Sequence, residues 1–130
     1  MVWGEYEGAL RSAVLGLKHR GRDELAKPLG RRLAGRVAAE TWASDIDRVV
    51  HVPSHPLRRL RHGRSAAAGL ADVVAAALDH PRRRALGRRG LRRQAGRTRL
   101  QRLQLPRRSF RSTAPVRGRR LLIVDDVTTT

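Results

Sequence analysis

Leu121-Leu122-Ile123-Val124-Asp125-Asp126-Val127-Thr128-Thr129-Thr130 runs from four apolar residues into two adjacent carboxylates, one further apolar residue and three hydroxyls. That order predicts a short buried strand delivering a charged, hydroxyl-rich loop at its C-terminal end. Open α/β sheets place their ligands outside that end. Carboxylates there suit ribose hydroxyls or a magnesium shell. Threonine hydroxyls and loop N–H groups suit a phosphate at the start of a following helix.

A second strand lies upstream. Arg48-Val49-Val50-His51-Val52 is a β-branched run ended by Pro53. A polar loop from Ser54 to Gly63 follows. A helix then spans about Ser65 to Leu78, with Ala66, Leu70, Val73, Val74, Ala77 and Leu78 on its inner side, and His80-Pro81 ends it. Strand, loop, helix and later strand is the order of a parallel sheet, so the fold class is α/β. A weaker strand is expected at Arg84-Ala85-Leu86.

The first 44 residues read as helices. Leu10, Ala13, Val14 and Leu17 form one apolar face between Gly8 and about His19, and Gly21 is a stop signal. Asp23 suits the cap of a second helix reaching about Thr41, with Leu25, Leu29, Leu33 and Val37 four apart. Pro28 is tolerated only in a first turn, which puts the start near Ala26. From Gly87 to Gly118 periodicity is poor and arginine dominates. This predicts a long basic excursion, with a short helix over Arg97 to Leu103.

Composition limits the rest. The chain has 130 residues, enough for one domain. It is 40% hydrophobic but 3% aromatic, so the core must be built from small, closely spaced side chains. Net charge is +18, from 29 Lys+Arg against 11 Asp+Glu, and Lys18 and Lys27 are the only lysines. Between His80 and Val124 there are sixteen arginines and no acid. Such a field gathers phosphates, nucleotides or nucleic acid. Aromatics able to stack on bases are few: Trp3, Tyr6, Trp42 and Phe110. Without cysteine, disulfides and thiolate metal sites are excluded. No apolar run reaches the roughly 18 residues of a membrane span, and the N-terminus lacks a signal-peptide pattern, so a cytoplasmic location is expected.

The closing pattern resembles the PRPP-binding signature of type I phosphoribosyltransferases: four apolar residues, two acids, an apolar residue, one more residue, then Thr-Thr. The resemblance implies that Asp125 and Asp126 hold the ribose 2′- and 3′-hydroxyls of PRPP as the catalytic acids. It implies that Thr128, Thr129 and Thr130 begin the 5′-phosphate loop, and that Mg2+ arrives with PRPP rather than on direct protein ligands. Pro53, Ser54, His55, Arg58, Arg59 and Arg61 then fall in the pyrophosphate loop, where a strand-to-helix turn suits an anion.

Further matches narrow the resemblance to the ComF-type competence proteins, a branch of that family. Tyr6, Gly8, Leu17, Lys18, Gly21, Val52, Pro53, Pro56 and Arg58 follow that pattern in order. Lys18, at a helix end, and Gln94 are further phosphate or hood candidates; Arg89 through Phe110 corresponds to the mobile hood over the site. Leu91 stands where the family carries threonine, and Arg61-His62-Gly63-Arg64-Ser65 replaces its Arg-Gly-x-Asn-Gln turn.

The expected architecture is an incomplete phosphoribosyltransferase-like parallel sheet flanked by helices, in one domain. Its parts are N-terminal helices over 1–44, the first strand, loop and helix over 45–86, the basic hood over 87–118 and the signature strand over 119–130. The family's cysteine zinc ribbon is absent, and its phosphate-loop glycine would follow Thr130, so little or no transferase activity is expected of residues 1–130. Two functions remain: a ComF-type protein that binds PRPP or a related ribose phosphate and is linked to competence and DNA uptake, or a non-enzymatic basic nucleic-acid-binding accessory. Partners would be a nucleotide-like small molecule, and DNA or the competence machinery through the basic surface.

Overall fold

A computed structural model of the chain describes residues 4–19, 22–54, 65–88 and 110–127. The described residues are mixed α/β, with three helices, a small parallel two-stranded sheet and a short antiparallel pair. In chain order the elements are α1 (Gly8–His19), α2 (Ala26–Ala38), β1 (Arg48–His51), α3 (Ala66–Ala77), β2 (Leu86–Arg88), β3 (Phe110–Ser112) and β4 (Leu121–Val124). Short 3-10 turns at Asp23–Leu25 and Ala43–Asp45 lead into α2 and towards β1.

β1 and β4 pair in parallel, with Arg48 beside Leu121 and His51 beside Val124. The pairing is fixed at both ends. Before β1, the Asp47 N–H donates to the Arg120 carbonyl at 2.9 Å, and the Arg120 N–H donates back to the Asp47 carboxylate at 2.8 Å. Beyond β1, the Val52 N–H donates to the Val124 carbonyl at 3.0 Å. Arg119 donates to Asp47, and Arg120 also pairs with Asp45, so these acids hold two arginines at the N-terminal edge of the sheet.

The other edge of β1 is occupied as well. The Val49 N–H donates to the Pro81 carbonyl and the Arg83 N–H donates to the Val49 carbonyl, each at 3.0 Å, which sets Arg82 parallel to β1. Val49 and Val50 point to opposite faces, and both are fully buried. β1 is therefore covered on both faces, as parallel strands require.

The core matches the composition. Its largest fully buried side chains are Val37, Val49, Val50 and Val74. α3 buries Ala66, Ala67, Leu70, Ala71, Val74 and Ala75 against α2 and the strands. Val73 is half-buried and Ala77 exposed, so the inner face of α3 is turned slightly from the expected one.

α2 corrects the sequence reading in the same way. Its fully buried residues are Ala26, Gly30, Ala34 and Val37, one register step from the leucine stripe, while Leu25, Leu29 and Leu33 flank the core half-buried. The reason is the close approach of α3. A Cβ at Gly30 would lie 2.6 Å from Val73 Cβ, so only small residues fit between the helices. α2 also ends at Ala38 rather than Thr41. The Glu40 N–H turns back to the Val37 carbonyl, and Ala43 then bonds Glu40.

The weak strand expected at residues 84–86 forms at Leu86–Arg88 and pairs antiparallel with Phe110–Ser112. The Thr113 N–H extends this ladder to the Ala85 carbonyl at 2.9 Å. The basic excursion is therefore framed by a short ladder that the sequence did not announce. Gly21 and the helix expected over 97–103 lie outside the described residues.

The crossing of α2 and α3 gives a paired test. Alanine favours a helix over glycine by about 1 kcal/mol. At Gly30 overpacking against Val73 outweighs this, and Gly30→Ala lowers unfolding free energy by ~1–3 kcal/mol in chemical denaturation. At exposed Gly35, where an added Cβ meets nothing within 4 Å, the same substitution raises it by ~0.5–1 kcal/mol.

Candidate functional site

The parallel register brings two chain segments to one edge. β1 runs out through Val52-Pro53-Ser54, and β4 runs out through Asp125-Asp126-Val127 beside it. Val124 is buried, so the strand is anchored up to the first acid. Pro53 is buried and, having no N–H, cannot extend the ladder beyond Val52. The Ser54 hydroxyl is buried and meets no hydrogen-bond partner among the described residues.

The two acids have different surroundings. Asp126 is clamped from α1: Lys18 Nζ donates to its Oδ1 at 2.9 Å, and both side chains are largely shielded from solvent. A partly shielded ion pair of this kind holds its geometry better than a fully exposed one. Asp125 has no ion pair among the described residues. Its carboxylate accepts the Asp126 N–H at 2.8 Å, which fixes the turn after β4.

Asp125 is exposed as a whole residue, yet protein atoms packed around its carboxyl displace water from it. That burial raises its pKa from 3.8 to about 6. The bond from the Asp126 N–H opposes the rise, the Asp126 charge adds to it and the Lys18 charge opposes it. The edge thus presents one carboxylate already held by a cation and a neighbour that readily takes up a proton.

Lys18, Pro53, Ser54, Asp125 and Asp126 are brought to this edge. Lys18, read from the sequence as a phosphate ligand, instead engages Asp126. His55, Arg58, Arg59, Arg61, Gln94, Thr128, Thr129 and Thr130 lie outside the described residues. His51, expected as a packed histidine in the strand, is half-buried there. α3 starts at Ala66, with Ser65 in an extended conformation and making no side-chain cap.

The sequence did not reveal a groove of about 510 Å3 between α2 and α3, lined by Leu17, Ala26, Lys27, Arg31, Ser65 and Val73 among others. Neither Asp125 nor Asp126 lines it. Its lining mixes apolar side chains with Asp23, Lys27 and Arg31, and its Asp72 is taken up by Arg82 at 2.8 Å. The chemically distinctive groups are at the sheet edge.

Among the described residues, no group of three or more His, Asp or Glu is gathered as a dedicated metal centre would require. No described helix is long and apolar enough to cross a membrane. No family model, curated protein or solved structure matches the chain.

The raised pKa has a measurable consequence. A carboxyl that holds its proton more tightly when folded stabilises the fold below its unfolded pKa, and that stability is lost as pH rises through the folded value. The Asp125 contribution therefore falls between about pH 4 and pH 6. Asp125→Asn removes this dependence, so its thermal midpoint gains on the parent's as pH rises through 6. A difference that stays flat from pH 4 to 7.5 contradicts the assignment.

Proposed function

We propose that the β1–β4 edge binds a phosphorylated ribose, with PRPP as the best match, in a ComF-type phosphoribosyltransferase-like protein. The observation that carries this reading is the parallel register that brings the end of β1 and the Asp125-Asp126 turn after β4 to one edge of the sheet. Adjacent carboxylates at a strand end suit a vicinal diol, because each accepts a hydrogen bond from one hydroxyl. Lys18 holds Asp126 in place without consuming all of its acceptor capacity. The Ser54 hydroxyl, without a hydrogen-bond partner among the described residues, is a donor suited to an anionic group.

Mg2+ fits this arrangement as a passenger on the diphosphate. Magnesium keeps several waters and takes one or two protein carboxylates with substrate phosphates, and Asp125 is a carboxylate without a cation among the described residues. In that role the ion would neutralise charge on departing pyrophosphate. The chain's own residues hold the ribose: Asp125 and Asp126 fix its diol, and their negative charge stabilises positive charge developing at the anomeric carbon. The sheet edge needs no covalent nucleophile for such a transfer.

A second reading, a nucleic-acid-binding accessory, draws on the surface charge. Arg82, Arg119 and Arg120 are paired with acids, but Arg83, Arg84, Arg111 and Arg117 are exposed within a segment that contains no acid. Binding through phosphates alone weakens steeply with salt.

The two readings separate in one set of titrations. PRPP with Mg2+ raises the thermal midpoint of residues 1–130, and Asp125→Asn/Asp126→Asn abolishes the rise while the variant remains folded. If PRPP gives no shift on a folded protein and single-stranded DNA binds with a steep salt dependence, the ribose-phosphate reading is wrong and the accessory reading stands.

A further inference from the structure

The open edge of β4 carries a self-complementary pattern. Arg120 and Val124 present their carbonyls to the β1 side, accepting from Asp47 and Val52. In a parallel pair, successive residues direct their backbone groups to alternate sides. Leu121 and Ile123 therefore present N–H and C=O to the other side, where no strand pairs among the described residues. Ile123 is 55% exposed, unusual for an isoleucine at the centre of a strand. An exposed apolar edge of this kind is a template for pairing with another chain.

Charge identifies the occupant. The strand is flanked by Arg119 and Arg120 on one side and by Asp125 and Asp126 on the other. A strand with cations before it and anions after it is complementary to itself when reversed. We propose that β4 pairs antiparallel with β4 of a second copy about a two-fold axis at Leu122, joining the two small sheets into one.

Symmetry and chemistry fix the register. A two-fold axis normal to the sheet reverses the strand, and outward-facing residues must meet outward-facing residues, so the centre falls on a residue and not between two. Centred on Leu122, Leu121 lies opposite Ile123 of the second copy, and Arg119 lies opposite Asp125, twice over. The outward backbone groups of Leu121 and Ile123 then bond across the interface. Centred on Ile123, Leu121 would face a carboxylate. The Leu122 register alone matches apolar to apolar and cation to anion through the outward-facing residues. Arg119 is 52% exposed in its pair with Asp47, and Asp125 makes no ion pair among the described residues. Strand pairing alone is a small interface, so the dimer is weak and concentration-dependent.

Sedimentation equilibrium on residues 1–130 tests this, with circular dichroism to verify that each variant folds. The parent shows a monomer–dimer equilibrium. Arg119→Glu and Asp125→Arg each replace two attractive cross-strand pairs with two repulsive ones and weaken dimerisation about tenfold. An equimolar mixture of the two variants recovers association. In the heterodimer the carboxylate introduced in one chain meets the guanidinium introduced in the other, and the remaining native pair is restored. Ile123→Lys, at an exposed position, blocks the edge and weakens association independently. A parent that is monomeric at every concentration, a mixture no tighter than its components, or an Ile123→Lys protein that dimerises like the parent overturns the proposal.

Discussion

The parallel hydrogen bonding of β1 to β4 is the constraint on which the rest depends. These strands lie about seventy residues apart in the sequence, so joining them closes a long loop whose entropy must be offset by contacts. The contacts are graded along the strands. At the N-terminal edge, Asp47 exchanges backbone and side-chain bonds with Arg119 and Arg120. In the middle, Val49 and Val50 are sealed on both faces. At the C-terminal edge, the Val52 N–H captures the Val124 carbonyl, so both strands end at the same edge of the sheet. The candidate site is a consequence of that last bond.

The helices serve the same pairing. α3 covers the strands with alanine and valine, and α2 can lie against α3 only because Gly30 and Ala34 allow it. A core of such small side chains gains little from each contact and relies on close approach, so added volume at the crossing is felt directly. α1 reaches the sheet edge by one polar contact, Lys18 to Asp126, which ties an N-terminal helix to the last described strand. A basic chain of +18 thus uses several of its few acids as fixed anchors: Asp45, Asp47 and Asp72 for arginines, and Asp126 for a lysine.

Much of this was legible in the residues. α1, β1, α3 and β4 follow from apolar periodicity or β-branched runs, because each buries a continuous face. The composition foretold the small-residue core. What was hidden has a physical cause in each case. The buried stripe of α2 is shifted from the leucines to Ala26, Gly30, Ala34 and Val37, because helix separation selects for size as well as hydrophobicity. β3 is wholly exposed, and Phe110-Arg111-Ser112 has no alternation to reveal it. At the site, the acids and the Pro53-Ser54 exit were legible from local chemistry. The Lys18–Asp126 contact, spanning 108 positions, was not, since nothing local distinguishes a cation bound for a phosphate from one bound for a carboxylate.

The fold and the candidate site both require that β1 and β4 run parallel with their C-terminal ends together. The most direct measurement is an isotope-edited NOE spectrum of residues 1–130 combined with amide exchange. Parallel pairing predicts backbone NOEs joining Val49 to Leu122 and Val52 to Val124, and slow exchange of the Val52 and Asp47 amides. An antiparallel pattern between these segments, or a Val52 amide that exchanges as fast as in an unstructured chain, would contradict it.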